Sequence, residues 1–440
     1  MDSTKQVMDS TKQVMDNVKP SMAVKTPSLI GGACLVACIC VGAGMLGLPA
    51  AGAGVWTIGA LMALVFTMII MTTSGCLLLE VLKDYPYRSS FSSITKDLLG
   101  KEVNFFNNLM IYFVGGILLY AYITSSGLIL NEYFGIAPQL ASILFVFIFS
   151  GLVWHSTKMV NRISIVLMLF MIISFSFGTV GLWFNVNLST LFDTAHLKFD
   201  YLQYVVVFFP IALTVFGYHH SVPTLRDYYR EERLAQKAIM GGTSIALFTY
   251  TVWLMSIYGN LPRVNFGPII AEGGNIDTLL ISLKAVLAED TLSNVISAFS
   301  AAAILSSFIG VGLGVFDFLA DLFQFDATSK GRTKTWAVTF IPPLIFSLLF
   351  PFGFLAVIGY AASASAIWAC IVPALLARKS RLQKAISNTQ EDNEEQLQQV
   401  KPYQVPLGEL VLIGVFIYGV GIIIINVLVM FEALPVFDGV

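Results

Sequence analysis

Gly42-Ala43-Gly44-Met45-Leu46-Gly47-Leu48-Pro49 and Phe216-Gly217-Tyr218-His219-His220-Ser221-Val222-Pro223 are the two stretches that decide the fold. Each lies inside a long apolar run, and each holds what a continuous helix tolerates badly. The first has three glycines in six residues and then a proline; the second has glycine, polar side chains and a proline. Irregular backbone at membrane depth is admissible only where it is buried in protein or lines a cavity. Two such breaks in corresponding helices point to an inverted repeat. There, discontinuous helices meet near the bilayer midplane and offer free N–H groups and carbonyls to a solute. Taken singly, either stretch also reads as glycines that let helices pack closely.

The chain around the breaks requires lipid. Of its 440 residues, 56% are hydrophobic and 12% charged, and the mean hydropathy is +0.78. A soluble domain carries roughly 25% charged side chains. Soluble enzymes, nucleic-acid binders and disordered scaffolds are excluded on that ground. Stretches without Asp, Glu, Lys or Arg run over 26–79, 103–131, 133–157, 163–192, 201–225, 238–262, 291–316, 335–377 and 410–431. A helix needs about 20 residues to cross a bilayer. The first window, broken around Pro49–Gly54, and the eighth, broken at Pro351–Gly353, hold two spans each. An all-α polytopic membrane protein with eleven transmembrane helices is predicted. Barrel strands would show alternating segments of about 10 residues instead.

The two breaks fall in spans 1 and 6, five apart and opposite in direction. This arrangement predicts a polar tail (1–28), a five-helix repeat (29–185), a second five-helix repeat (201–377), a charged linker (378–406), an eleventh span (407–431) and a short tail (432–440). With the N-terminus in the cytoplasm, 22 of the 25 Lys and Arg residues lie on inside segments; only Lys198, Arg263 and Lys284 lie outside. The positive-inside rule then places the C-terminus on the periplasmic side. The heptapeptide MDSTKQV occurs at 1–7 and again at 8–14, with no apolar core of the kind a signal peptide needs.

Several motifs resemble those of the bacterial hydroxy/aromatic amino acid permeases. The run from Gly42 to Gly54 is similar to that family's first-helix motif, and Phe216–Leu225 to its sixth-helix motif. Ser306 to Phe323 resembles its eighth-helix signature, and Thr339–Leu344 and Gly359–Ala361 match in order. His220 departs from the pattern, which usually has glycine there. The resemblance implies a leucine-transporter-like inverted five-plus-five repeat with one extra helix. It also implies proton-coupled import of an aromatic amino acid across the bacterial inner membrane. Tyrosine is the expected substrate; tryptophan or a broad aromatic preference is the alternative, with a sodium-coupled carrier or a channel further off. No enzyme activity and no cofactor are expected, and the partners are the amino acid, the proton and the bilayer, with no nucleic acid.

No charged residue lies deep in any span; Glu80, Glu132, Asp317, Asp321 and Glu409 sit near span ends. A zwitterion is therefore expected on backbone and neutral groups along Gly42, Ala43, Gly44 and Met45. Its carboxylate suits the N–H groups of the first three, and its ammonium suits carbonyls around Phe216, Gly217 and Tyr218. The ring suits Phe216, Tyr218, Tyr120 or Tyr122. His219 and His220 are the titratable pair at depth, and neighbouring helical residues point about 100° apart. His219 matches the family position and is expected to carry the coupled proton or to serve as a hydrogen-bonded structural histidine. Ser306 and Ser307 form a hydroxyl pair suited to a cation or to back-bonding within their helix. Asp317 and Asp321, one turn apart, suit an inner gate or a solvated helix end. His155 and His196 lie near interfaces. Cys34, Cys38, Cys40, Cys76 and Cys370 lie in apolar runs without metal-ligand spacing. There is no phosphate-binding GxxxxGK[ST] motif.

Overall fold

The computed structural model describes residues 28–196, 199–286, 290–350, 353–390 and 403–439. The expected polar tail, the Pro351 side of the eighth-window break and the acidic part of the linker lie outside these residues. All regular structure among the described residues is helical. The chain runs α1 (Leu29–Cys40), a 3-10 turn (Ala43–Gly47), α2 (Leu48–Ala51), α3 (Trp56–Leu82), α4 (Phe91–Leu99), α5 (Lys101–Phe134), α6 (Pro138–His155), α7 (Thr157–Phe184) and α8 (Leu188–Leu191). It continues through α9 (Val205–Val215), a 3-10 turn (His219–Ser221), α10 (Val222–Tyr229), α11 (Glu232–Tyr258), α12 (Phe266–Ala271), α13 (Ile276–Val286) and α14 (Asp290–Leu322). The last elements are α15 (Ser329–Leu349), α16 (Phe354–Ala366), a π turn (Ile367–Ile371), α17 (Val372–Gln390) and α18 (Gly408–Met430).

Nine helical stretches among the described residues are long and apolar enough to span a bilayer, or ten with Leu29–Ala51, whose halves meet at 51°. The count of eleven is not reached on length and apolarity alone. The remaining expected span, α15, opens with Lys330, Arg332 and Lys334 and carries Pro342 and Pro343 inside. The charged segment after residue 378 begins as helix: α17 runs on to Gln390.

Helix ends follow local chemistry. The Ser28 hydroxyl accepts the Gly31 N–H (3.3 Å) and starts α1, and Ser90 does the same for Ser93 (3.0 Å) at α4. Gly135, with φ +63°, closes α5 in the left-handed region. Small residues let the helices touch. A Cβ on Gly242 of α11 would fall 2.4 Å from Val36 Cβ and 2.6 Å from the Ala33 carbonyl of α1. The first half-helix and α11 are thus in backbone contact.

Charges gather at the helix ends. At the end rich in basic residues, Arg381 grips Glu80 through Nε (2.8 Å) and Nη2 (2.9 Å), and the Val405 N–H donates to the same carboxylate (2.7 Å). Nearby, Arg226 pairs with Glu232 (3.2 Å) and donates to the carbonyls of Lys83 and Tyr85. At the opposite end, buried Arg263 pairs with Asp193 (3.3 Å), donates to the Gly54 carbonyl and lies 3.6 Å over the Tyr201 ring. Burial lowers the Arg263 pKa, and Tyr201 and Asp193 pull it back up.

Candidate functional site

Both breaks form where the sequence places them. α1 stops at Cys40, Val41 and Gly42 turn extended, and a 3-10 turn starts at Ala43. α9 stops at Val215, and a second 3-10 turn leads into α10, which begins with Val222-Pro223. The unpaired backbone of the first break is served by three side chains from two helices. The Ala43 N–H donates to Ser307 Oγ of α14 (3.0 Å), and the Tyr122 hydroxyl of α5 interacts with that same serine. The Tyr258 hydroxyl of α11 donates to the Pro49 carbonyl (2.9 Å). The third contribution also comes from α11. The Tyr250 hydroxyl lies 2.7 Å from the Cys40 carbonyl and 2.7 Å from the Val215 carbonyl. The last carbonyls of the two first half-helices therefore meet at one phenol.

Gly42 is needed for this convergence, since a Cβ there would stand 2.7 Å from Ser307 Oγ. At Gly44 a Cβ would meet only Val215 Cγ1, at 3.4 Å. Met45 is fully buried beside them. In the second break, buried Phe216 packs edge-on against Tyr250, with ring centroids 5.3 Å apart. Its carbonyl already accepts the Tyr218 N–H (3.0 Å), and the Tyr218 carbonyl accepts the Ser221 N–H (2.9 Å). The carbonyl presented to the first break is therefore that of Val215, one residue before the stretch singled out from sequence.

The tyrosines diverge. Tyr218 points into α3, where its hydroxyl donates to the Met71 carbonyl (3.0 Å) in space that a side chain on Gly75 would fill. Tyr120 donates to the Phe350 carbonyl at the end of α15, and of the three tyrosines expected from sequence, Tyr122 reaches the first break, through Ser307. The two histidines separate as helical geometry requires: His219 is fully buried and His220 exposed. The His219 ring stacks on Tyr218 (4.8 Å) and meets Trp368 edge-on (5.9 Å). Neither imidazole nitrogen has a hydrogen-bond partner among the described residues, and the Trp368 indole N–H is also unpartnered. Buried polar atoms without partners are uncommon and call for a physical reason. Trp368 rides on the π turn, a departure often found at functional positions. Ser74 of α3 donates to the Ala369 carbonyl within that turn.

Ser306 is half-buried next to Ser307, while Asp317 and Asp321 are exposed and enter no ion pair among the described residues. No cluster of His, Cys, Asp and Glu suited to a metal occurs among the described residues. Tyr250, Tyr258 and Trp368 belong to the site's surroundings and carry no sequence signal. Each is an aromatic in an apolar helix, where packing is the ordinary role.

A profile of the tryptophan/tyrosine permease family matches residues 25–426. The chain belongs to that family. It is therefore a membrane transport protein of a family that carries aromatic amino acids, and not an enzyme. A tryptophan-specific transport protein of Haemophilus influenzae is 46% identical over 370 residues, covering 81% of this chain and 88% of that one. A tyrosine permease of Enterobacter agglomerans is 34% identical over 367 residues, again covering 81% and 88%. A manganese transporter of Eremococcus coleocola has the same fold, with a TM-score of 0.52, 11% identity and coverage of 94% of this chain and 97% of that one. At that identity the likeness concerns the fold alone. The all-helical, leucine-transporter-like fold class that the motif resemblance implies is the one this permease has, without the full count of eleven spans.

Proposed function

We propose that the chain imports tryptophan across the bacterial inner membrane by proton symport. The carrying observation is the contrast between two relatives aligned over the same share of the chain, 46% identity to a tryptophan-specific transport protein against 34% to a tyrosine permease. Tyrosine, the substrate expected from the motifs, gives way on that contrast. A broad aromatic permease is the second reading, supported by the family's own description, which covers both amino acids.

The amino acid binds between the breaks. Its carboxylate takes N–H groups at Gly42 and Gly44, with the Ala43 N–H between them held by Ser307 Oγ, its ammonium takes the carbonyls at the half-helix ends, and its ring lies toward Met45, Phe216 and Tyr122. His219 carries the proton. Its ring is buried with both nitrogens free among the described residues, and the sequence places no acid deep in any span. Spans 1–5 and 6–10 act as two inverted repeats, and the 22-to-3 split of basic residues puts the N-terminus inside and the C-terminus outside.

Purified protein in lipid vesicles tests the reading. Labelled tryptophan should accumulate under an inward pH gradient, lose that accumulation with a protonophore and ignore replacement of sodium by potassium. Unlabelled tryptophan should compete best, tyrosine and phenylalanine less, and lysine or glutamate hardly at all, since an extra charge finds no buried countercharge. Preferred uptake of tyrosine overturns the substrate assignment. A steep sodium requirement overturns the proton and moves attention to Ser306 and Ser307.

A further inference from the structure

Tyr250 belongs to neither broken helix, yet its phenolic oxygen lies 2.7 Å from the carbonyls of both Cys40 and Val215. Those are the last residues of their half-helices, and the phenol is fully buried between them. The final carbonyls of a helix lack partners within it and form the negative end of its dipole. Two such ends brought to one buried point repel, and they cost free energy unless a donor or a cation lies between them. A phenol has one hydrogen and must share it between the two acceptors. An ammonium group has three hydrogens and a full charge, so it suits the same pair of acceptors better.

We propose that Tyr250 is a positioning residue that stands in for the substrate's ammonium group. Its hydroxyl holds the two half-helix ends together whenever no amino group lies between them, and it yields a carbonyl when one arrives. The inference rests on the reading of the chain as an amino acid carrier and deepens it. A coupled importer has to complete each cycle by returning without its amino acid. Exchange of one substrate molecule for another returns loaded in both directions. The phenol therefore matters for the empty return and is dispensable for exchange.

Tyr258 supplies the control. It lies on the same helix, is equally buried and donates to one carbonyl only, that of Pro49. In vesicles holding the full-length protein, Tyr250→Phe should cut net tryptophan uptake about tenfold, the effect of losing the one buried donor that the two carbonyls share. Exchange against internal tryptophan should stay within about twofold of the parent. Tyr258→Phe should lower both in the same proportion. A binding measurement covers poor transport: tryptophan should raise the melting temperature of detergent-solubilised Tyr250→Phe protein more than that of the parent, because the carbonyls no longer have a rival donor. Equal loss of net uptake and exchange in Tyr250→Phe, unchanged net uptake, or a ligand-induced shift no larger than the parent's each overturns the inference alone. A parent protein that neither transports nor responds to tryptophan overturns the assigned function and the inference with it.

Discussion

The two breaks interrupt their helices at matching places but expose different chemistry. The first is a backbone surface: Gly42 leaves room for Ser307 from α14 and Gly52 for the Tyr258 hydroxyl from α11, while Tyr250 of α11 serves the Cys40 carbonyl. The second is a side-chain surface, where Phe216, Tyr218 and His219 are all fully buried and face different neighbours. One break is suited to holding the amino acid's polar ends by main-chain groups. The other is suited to sensing, through a ring and an imidazole, what lies between the two. The inverted arrangement sets the positions of the breaks and leaves their chemistry free to differ.

The contrast is broken most directly at Gly42. A valine there puts a branched side chain where Ser307 Oγ stands, 2.7 Å from the first added carbon. Gly42→Val should lower tryptophan uptake on the order of a hundredfold at normal membrane abundance, the scale of misplacing a bound group by about 1 Å. Gly44→Ala, facing only Val215 at 3.4 Å, should retain most activity. Initial uptake rates normalised to immunoblot signal decide this, and equal tolerance at both positions would remove the first break from the site.

The second break is probed at His219. With an imposed gradient of one pH unit, one-to-one coupling supports roughly tenfold accumulation. His219→Ala should bring the plateau toward equality across the membrane while exchange persists. The plateau separates this variant from Tyr250→Phe, which should reach the parental plateau slowly. Equal loss of plateau and exchange in His219→Ala would make the histidine a pocket wall.

Both breaks were legible because glycine and proline are local signals that no tertiary contact is needed to interpret. The Ser306–Ser307 pair stands out in sequence as polar residues in an apolar helix, but its expected roles were a cation ligand or back-bonding, and the contact of Ser307 with the Ala43 N–H is neither. The tyrosines were not legible. Tyr120 and Tyr122 stand two residues apart, and nothing in sequence says that one serves Phe350 and the other Ser307. Tyr250 reads as one more aromatic in α11. Its role exists only where the ends of α1 and α9 meet, which is a property of packing. The carbonyl at Val215 lay one residue outside the predicted stretch because α9 unwinds after it, and sequence locates helix ends only to within a residue or two. Tyrosine was expected because the motifs are common to the family, so they speak to architecture and not to the ring.

Between the extremes lies the junction of the breaks with their surroundings. Ser307→Ala removes the acceptor of the Ala43 N–H and should reduce uptake about fivefold, the worth of roughly 1 kcal/mol in one hydrogen bond. Ser307→Thr, which keeps the hydroxyl, should restore much of it. Sodium should make no difference to either variant, and a sodium requirement appearing in the parent and lost in Ser307→Ala would turn this serine into an ion ligand.

The smallest effect should come from the glycine of the second break. A Cβ on Gly217 would meet only the Thr214 carbonyl three residues earlier, at 3.1 Å, so a shift of a few tenths of an ångström in its own turn is all it requires. No other helix supplies a group into that space within 4 Å, in contrast to Ser307 at Gly42. Gly217→Ala should therefore stay within about twofold of the parent in uptake rate, the range of substitutions that disturb no packed neighbour. Gly217 then interrupts α9 without presenting its backbone to the substrate, and the side chains on either side of it do the recognising. An uptake loss as deep as that of Gly42→Val would show a second backbone surface, and the division of roles between the two breaks would fall.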